Sequence, residues 1–243
     1  MVELFGKKCN FKGDLGLLDR PKVSIVGSRR PNSYTKEVTF RLAKGFAERG
    51  WVVVSGGAMG VDAMAHRGAG AANTIVVLPC GIEHRYPKVN AKLIDEVATK
   101  GLVISQFDDD FLATPWSFVV RNELVVQLGN FLIVTQADKN SGSMRSVEYA
   151  KEHEKEIYVL PHRIGESEGT NELAESGGAQ VIWQIEHFLD RFGKVTTDPF
   201  ISYLQNAPSY EEAIACFGDR ITELEITGAI QIKDGKIYYK GEG

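Results

Sequence analysis

From Lys22 onward, short β-branched runs alternate with stretches of helical periodicity, and this rhythm constrains the fold more than any other feature. The runs are KVSIVG, WVVVSGG, TIVVLPCG, LVIS, FLIVTQ and EIYVLPH. Helical patterns lie between them at 35–49, 61–72, 90–100, 117–128 and 141–153. Such a repetition means βαβ units around a mostly parallel sheet. The runs are apolar throughout rather than alternating, as strands covered on both faces require. In the first helical stretch Val38, Leu42 and Phe46 recur every four residues and Gly50 supplies a stop. Burying that stripe contributes about 1.5 to 3 kcal/mol per large side chain. The stretch GTNELAESGGAQVIW reads as a loop, a short helix and a last strand, after which 185–192 closes the domain. The expected class is α/β, a doubly wound and mostly parallel sheet.

At 243 residues the chain has room for one full domain and a small appendage. Residues 1–20 are expected to be an N-terminal extension, 21–193 the main domain and 194–199 (KVTTDP) a linker. Beyond it the texture changes. Helical patterns at 209–217 and 219–227 end at Gly228, and IQIKDGKIYY gives two short strands around Asp234-Gly235, a strong hairpin signal. Two helices followed by a hairpin make 200–243 winged-helix-like. Lys and Arg total 28 against 32 Asp and Glu, so the net charge of 28 − 32 = −4 excludes a uniformly basic nucleic-acid binder. A local basic groove is still compatible with that balance. Cys9, Cys80 and Cys216 lie far apart, at neither metal-ligand nor disulfide-framework spacing, so no metal is expected. The apolar runs are too short to span a membrane and MVELFGKKCN lacks a secretory apolar region. A cytoplasmic protein without membrane contact is expected.

Ligands of open parallel sheets bind beyond the carboxyl ends of the strands, which directs attention to four segments. After KVSIVG, the residues Gly27, Ser28, Arg29, Arg30 and Pro31 offer a hydroxyl and two guanidiniums to phosphate oxygens. Neither GxGxxG nor GxxxxGK[ST] occurs, so dinucleotide and P-loop readings lose their main support. The segment SGGAMG leads into a helix carrying Asp62 and His66. That pair either fixes neighbouring loops or takes part in chemistry, and spacing alone does not separate the two. In the third segment Trp116 and Phe118 precede Arg121 and Asn122, a set that suits base stacking beside a phosphate track, or else core anchors with a paired arginine. Fourth, Lys139, Asn140, Ser141, Gly142 and Ser143 open a helix with small residues, and Arg145 follows. Several anion-friendly segments along one sheet edge would form a groove, which suits a polymer of phosphates better than one small cofactor.

The ordered motifs VSIVGSRRP, VVSGGAMGVDAMAH, TIVVLPCGIEHRYPKVNAKL, GLVISQF, RNELV, SGSMRSVEYA and GTNELAESGGAQVI resemble those of the DNA processing protein A family, DprA or Smf. The resemblance covers roughly 22–183. It implies a Rossmann-like domain that is not an enzyme, takes no cofactor, binds single-stranded DNA and delivers the strand to the RecA recombinase during natural transformation. It also implies a homodimer through the Rossmann-like domain. The DNA-binding positions it implies are Gly27, Ser28, Arg29, Arg30, Phe118, Arg121, Asn122, Lys139, Ser141, Gly142 and Ser143, with the Arg29-Arg30 pair as the main phosphate clamp. Three positions depart from the family pattern: Glu123 where Arg usually continues the motif, Gln106 where an acid often follows the Ser, and Gln136 where an acid often precedes the Ala. In the last helix Asp219, Glu223 and Glu225 are acidic, unlike a recognition helix for duplex DNA. The rival reading is a nucleotide N-glycosidase on a related sheet, with Glu148 of SGSMRSVE as the reacting carboxylate.

Overall fold

Apolar runs with no polar face are strands held between two layers, and the computed structural model shows that arrangement. It describes residues 1–195, 203–204, 208–233 and 235–239, in two compact units, Met1–Gly193 and Lys194–Gly243. The strands of the first unit are β1 (Val2–Leu4), β2 (Lys7–Gly13), β3 (Lys22–Val26), β4 (Val52–Ser55), β5 (Thr74–Val77), β6 (Leu102–Ser105), β7 (Phe131–Val134), β8 (Ile157–Val159) and β9 (Gln180–Val181). Its helices are α1 (Ser33–Ala47), α2 (Val61–Ala69), α3 (Ala91–Lys100), α4 (Pro115–Leu128), α5 (Gly142–Glu152), α6 (Glu168–Glu175) and α7 (Ile185–Leu189). The strands form one sheet of order β1-β2-β6-β5-β4-β3-β7-β8-β9. Every pairing from β6 across to β9 is parallel. The fold is the expected doubly wound α/β sheet.

Successive strand residues serve opposite layers. Val54, Ile75, Leu132 and Val134 pack with Leu124 and Val125 of α4 and Val147 of α5. Their neighbours Val23, Ile25, Val53 and Ile133 pack with Val38, Leu42 and Phe46 of α1, while Val76 and Val103 meet Ile94 and Val97 of α3. This double burial explains why the strands carry no polar alternation. Helix α1 is capped by Asn32, whose side chain accepts from the Thr35 amide at 2.8 Å.

One expectation is corrected at the N-terminus. Residues 1–20 are not an appended extension: β2 pairs antiparallel with β6, joining Asn10 to Ser105 and Phe11 to Ile104, and β1 pairs with β2. Cys9 is fully buried and Phe11 packs against the core. The short β1 and the lysine-rich β2 thus close one edge of the sheet.

The second unit contains α8 (Tyr210–Phe217), α9 (Asp219–Ile226) and an antiparallel pair, β10 (Ile230–Lys233) with β11 (Lys236–Tyr239). Leu204, Ala213, Ile221, Ile230 and Ile237 form its small core. Gly235 sits in the turn at φ +73°. Asp234 and most of the expected linker, 196–199, lie outside the described residues.

Candidate functional site

The sheet changes winding direction at β3. From β3 the chain builds outward through β4, β5 and β6, then crosses back by α4 to place β7 on the other flank of β3. Where winding reverses, the loops beyond the two strand ends diverge and leave a crevice. A cleft of about 630 Å³ occupies that place. Its walls come from the loops after β3, β4 and β7 and from the first turns of α4 and α5. The four segments singled out in the sequence therefore converge on one cleft.

Gly27, Ser28 and Arg29 form one wall. The Ser28 amide donates to the Gln136 carbonyl at 2.8 Å, tying the loop after β3 to the one after β7. Arg29 is exposed and forms no ion pair with a described carboxylate, and its guanidinium lies 5.2 Å from the centroid of the Phe118 ring. Arg30 is also exposed and unpaired among the described residues, but it is outside the cleft lining.

Phe118 lies half-buried on the first turns of α4, with Tyr86 in edge contact at 5.4 Å between centroids. Pro115 starts that helix, and the Ser117 hydroxyl accepts from the Thr114 amide at 3.0 Å while donating to the Pro79 carbonyl at 2.6 Å. These bonds fix the direction in which Phe118 leaves the helix. Trp116 packs on the stacked Phe107 and Phe111 rings instead, at 5.6 and 5.5 Å, and is 54% exposed.

Arg121 differs from the expectation of a surface contact, for it is 4% exposed. Its Nη1 donates to the Gly56 carbonyl and, at 3.2 Å, to that of Val77. Any Cβ at position 56 would overlap the guanidinium, so glycine there makes room for the arginine. Asp62 is also buried, and one of its oxygens accepts from the Gly56 and Ala58 amides, each at 3.2 Å. Burial pushes the Asp62 carboxyl up from its ordinary value, with Arg121 and the two amides pulling it back. Burial pushes Arg121 down, opposed by Asp62. His66 lies off the cleft lining, its Nδ1 2.7 Å from the Thr74 hydroxyl, and burial followed by the Arg121 charge lowers its pKa to about 3.

Another wall is the start of α5. Ser141, Gly142 and Ser143 line the cleft, and first-turn amides of a helix lack intrahelical acceptors. Asn122 lines it too, its amide donating to the Gly142 carbonyl at 3.3 Å. Lys139 is placed differently from expectation: it is outside the lining and paired with Glu172 at 3.3 Å. Arg145 lines the cleft but is held by Glu148 at 2.7 Å.

The departures from the family pattern find local explanations. Glu123 faces away from the cleft and pairs with Lys7 at 2.7 Å, so it does not cancel charge there. Gln136 accepts from the Asn32 amide at 3.1 Å, and Gln106 donates to the Val120 carbonyl at 3.1 Å. Sequence reasoning gave no role to Tyr86; its position beyond the carboxyl end of β5 was the available signal.

The family model for DNA recombination-mediator protein A matches residues 8–193. DNA processing protein DprA of Bacillus subtilis is 33% identical over 197 residues, 78% of this chain and 66% of that protein. A structure of DNA processing protein A from Helicobacter pylori, studied for its single-stranded DNA binding mode, superposes with a TM-score of 0.75 at 46% identity, covering 76% of this chain and 86% of that one. The Streptococcus pneumoniae DprA structure gives a TM-score of 0.70 at 32% identity, over 76% and 66% of the respective chains. The chain spans about half to two thirds of the length of the curated relatives it matches first. It belongs to the DNA recombination-mediator protein A family, also called DNA processing protein A.

Proposed function

We propose that this protein binds single-stranded DNA in the cleft and on its rim. The observation that carries the reading is Arg29, exposed and without an ion pair among the described residues, beside Phe118 in a cleft that the α5 N-terminus also lines: a cation, a ring and helix-start amides around one cavity. Such a site gives a strand a phosphate contact on Arg29, an anion-favouring helix start at Ser141–Ser143 and a stacking surface on Phe118. Arg30, the next residue, extends the phosphate track. The Helicobacter pylori relative, described for its single-stranded DNA binding, supports the ligand.

The same reading gives the chain no catalytic step and no cofactor. Glu148, the carboxylate an N-glycosidase would need, lies exposed on α5, paired with Arg145 and outside the cleft lining. Family membership supports a place in DNA recombination; the reading further has the bound strand handed to RecA recombinase in the cytoplasm during natural transformation, by a homodimer formed through the first unit. No described helix is long and apolar enough to cross a membrane.

Titration of labelled oligothymidine against duplex of equal length, at several salt concentrations, tests the proposal. Tighter binding of the single strand, with log K falling linearly against log salt, is expected. Equal binding of the duplex, or release of free base from nucleoside monophosphates, would contradict it.

A further inference from the structure

Arg29 is an exposed cation of the cleft that no described carboxylate pairs, yet what sets its place lies beneath the surface. Its loop leans on the segment 56–60. The Val61 amide donates to the Ser28 carbonyl at 3.1 Å. Gly60, at φ +80°, comes so near that a Cβ there would stand 2.4 Å from the Ser28 oxygen and 2.6 Å from the Arg29 carbonyl carbon. Any shift of 56–60 therefore moves Arg29.

That segment is held in turn by buried groups. Asp62 takes the Gly56 and Ala58 amides, Arg121 donates to the Gly56 carbonyl, and Asn90 donates to the carbonyls of Gly57 and Ala58 at 3.0 Å each. Asp62 and Arg121 are 7% and 4% exposed, and each acts electrostatically on the other. A carboxylate facing a phosphate would repel it, so contact with the strand does not account for Asp62. Its hydrogen bonds go to the loop.

We infer that Asp62 is a positioning residue for DNA binding: by fixing 56–60, with Arg121 bonded to the same loop, it holds the Ser28–Arg29 backbone where Arg29 meets a phosphate. This inference rests on the DNA reading above. It requires that the effect of Asp62 pass through Arg29.

A double-mutant cycle on the full chain tests that requirement, with oligothymidine as the probe. Asp62→Asn keeps the shape and replaces one carboxyl oxygen with an amide NH2. Its expected effect is about three- to tenfold weaker binding in the wild-type background and under about twofold in the Arg29→Ala background. A merely structural lesion would weaken both backgrounds alike. Equal losses in the two backgrounds, or no loss in either, overturn the inference. Should Asp62→Asn fail to fold by circular dichroism, Asp62→Ser takes its place in the same cycle, with the same expected and contradicting outcomes. If the wild type does not bind the strand, or Arg29→Ala costs nothing, the DNA reading itself has failed and the inference falls with it.

Discussion

The Arg29 guanidinium lies 5.2 Å from the centroid of the Phe118 ring, so the principal free cation of the cleft and its aromatic surface form one unit. They come from opposite sides of the winding reversal, Arg29 from the loop after β3 and Phe118 from the helix that crosses back to β7. A cation over a half-buried ring can hold a phosphate while the part of the ring left open receives the neighbouring base.

Phe118→Ala should weaken oligothymidine binding by about 1 to 3 kcal/mol, the worth of one base stack. Phe118→Tyr should keep most of it. Fluorescence anisotropy on both variants checks the contrast, since loss of the ring and loss of the fold would otherwise look alike.

Lys139 should matter less than Arg29. Its ammonium is paired with Glu172, and both side chains are more than half exposed. Lys139→Ala is expected to change affinity by less than Arg29→Ala under identical salt, and side-by-side titration decides the order.

Gly60→Ala should destabilise the first unit by about 1 to 3 kcal/mol, because position 60 has a backbone conformation that side chains disfavour and the new Cβ presses on Ser28 and Arg29. Urea denaturation measures it as a lowered midpoint.

His66 makes stability depend on acid in a stated direction. Its folded pKa, about 3, is depressed from 6.5. The unfolded chain then binds the proton first, so the stabilisation is fully present above pH 6.5 and is lost as pH falls toward 3. Between pH 6.5 and 5, ahead of most carboxylates, the loss should be about 2 kcal/mol. Urea midpoints of wild type and His66→Gln at both pH values test this; the variant should show a much smaller difference.

Much of this architecture is legible in the sequence because burial on two faces leaves unbroken apolar runs. Val52 to Val54 and Phe131 to Val134 are strands for that reason, and the spacing of Val38, Leu42 and Phe46 marks the helix that covers them. The N-terminal strands were not legible, since KKCNFKG offers only Cys9 and Phe11 to the core and its pairing partner β6 lies some ninety residues away. The same limit applies to the site. Gly27, Ser28, Arg29, Phe118 and Ser141 sit beyond strand ends or on helix starts, where local pattern points. The burial of Arg121 depends on Gly56, and the neutralisation of Lys139 on Glu172, pairings that exist only after folding.

Binding of oligothymidine by Arg29→Ala/Arg30→Ala, measured against wild type across a salt series, tests the central claim most directly. Weaker binding at moderate salt is predicted, with a log–log slope flattened by about 0.7 for each phosphate that the variant no longer neutralises. Affinity and slope equal to the wild type would contradict it.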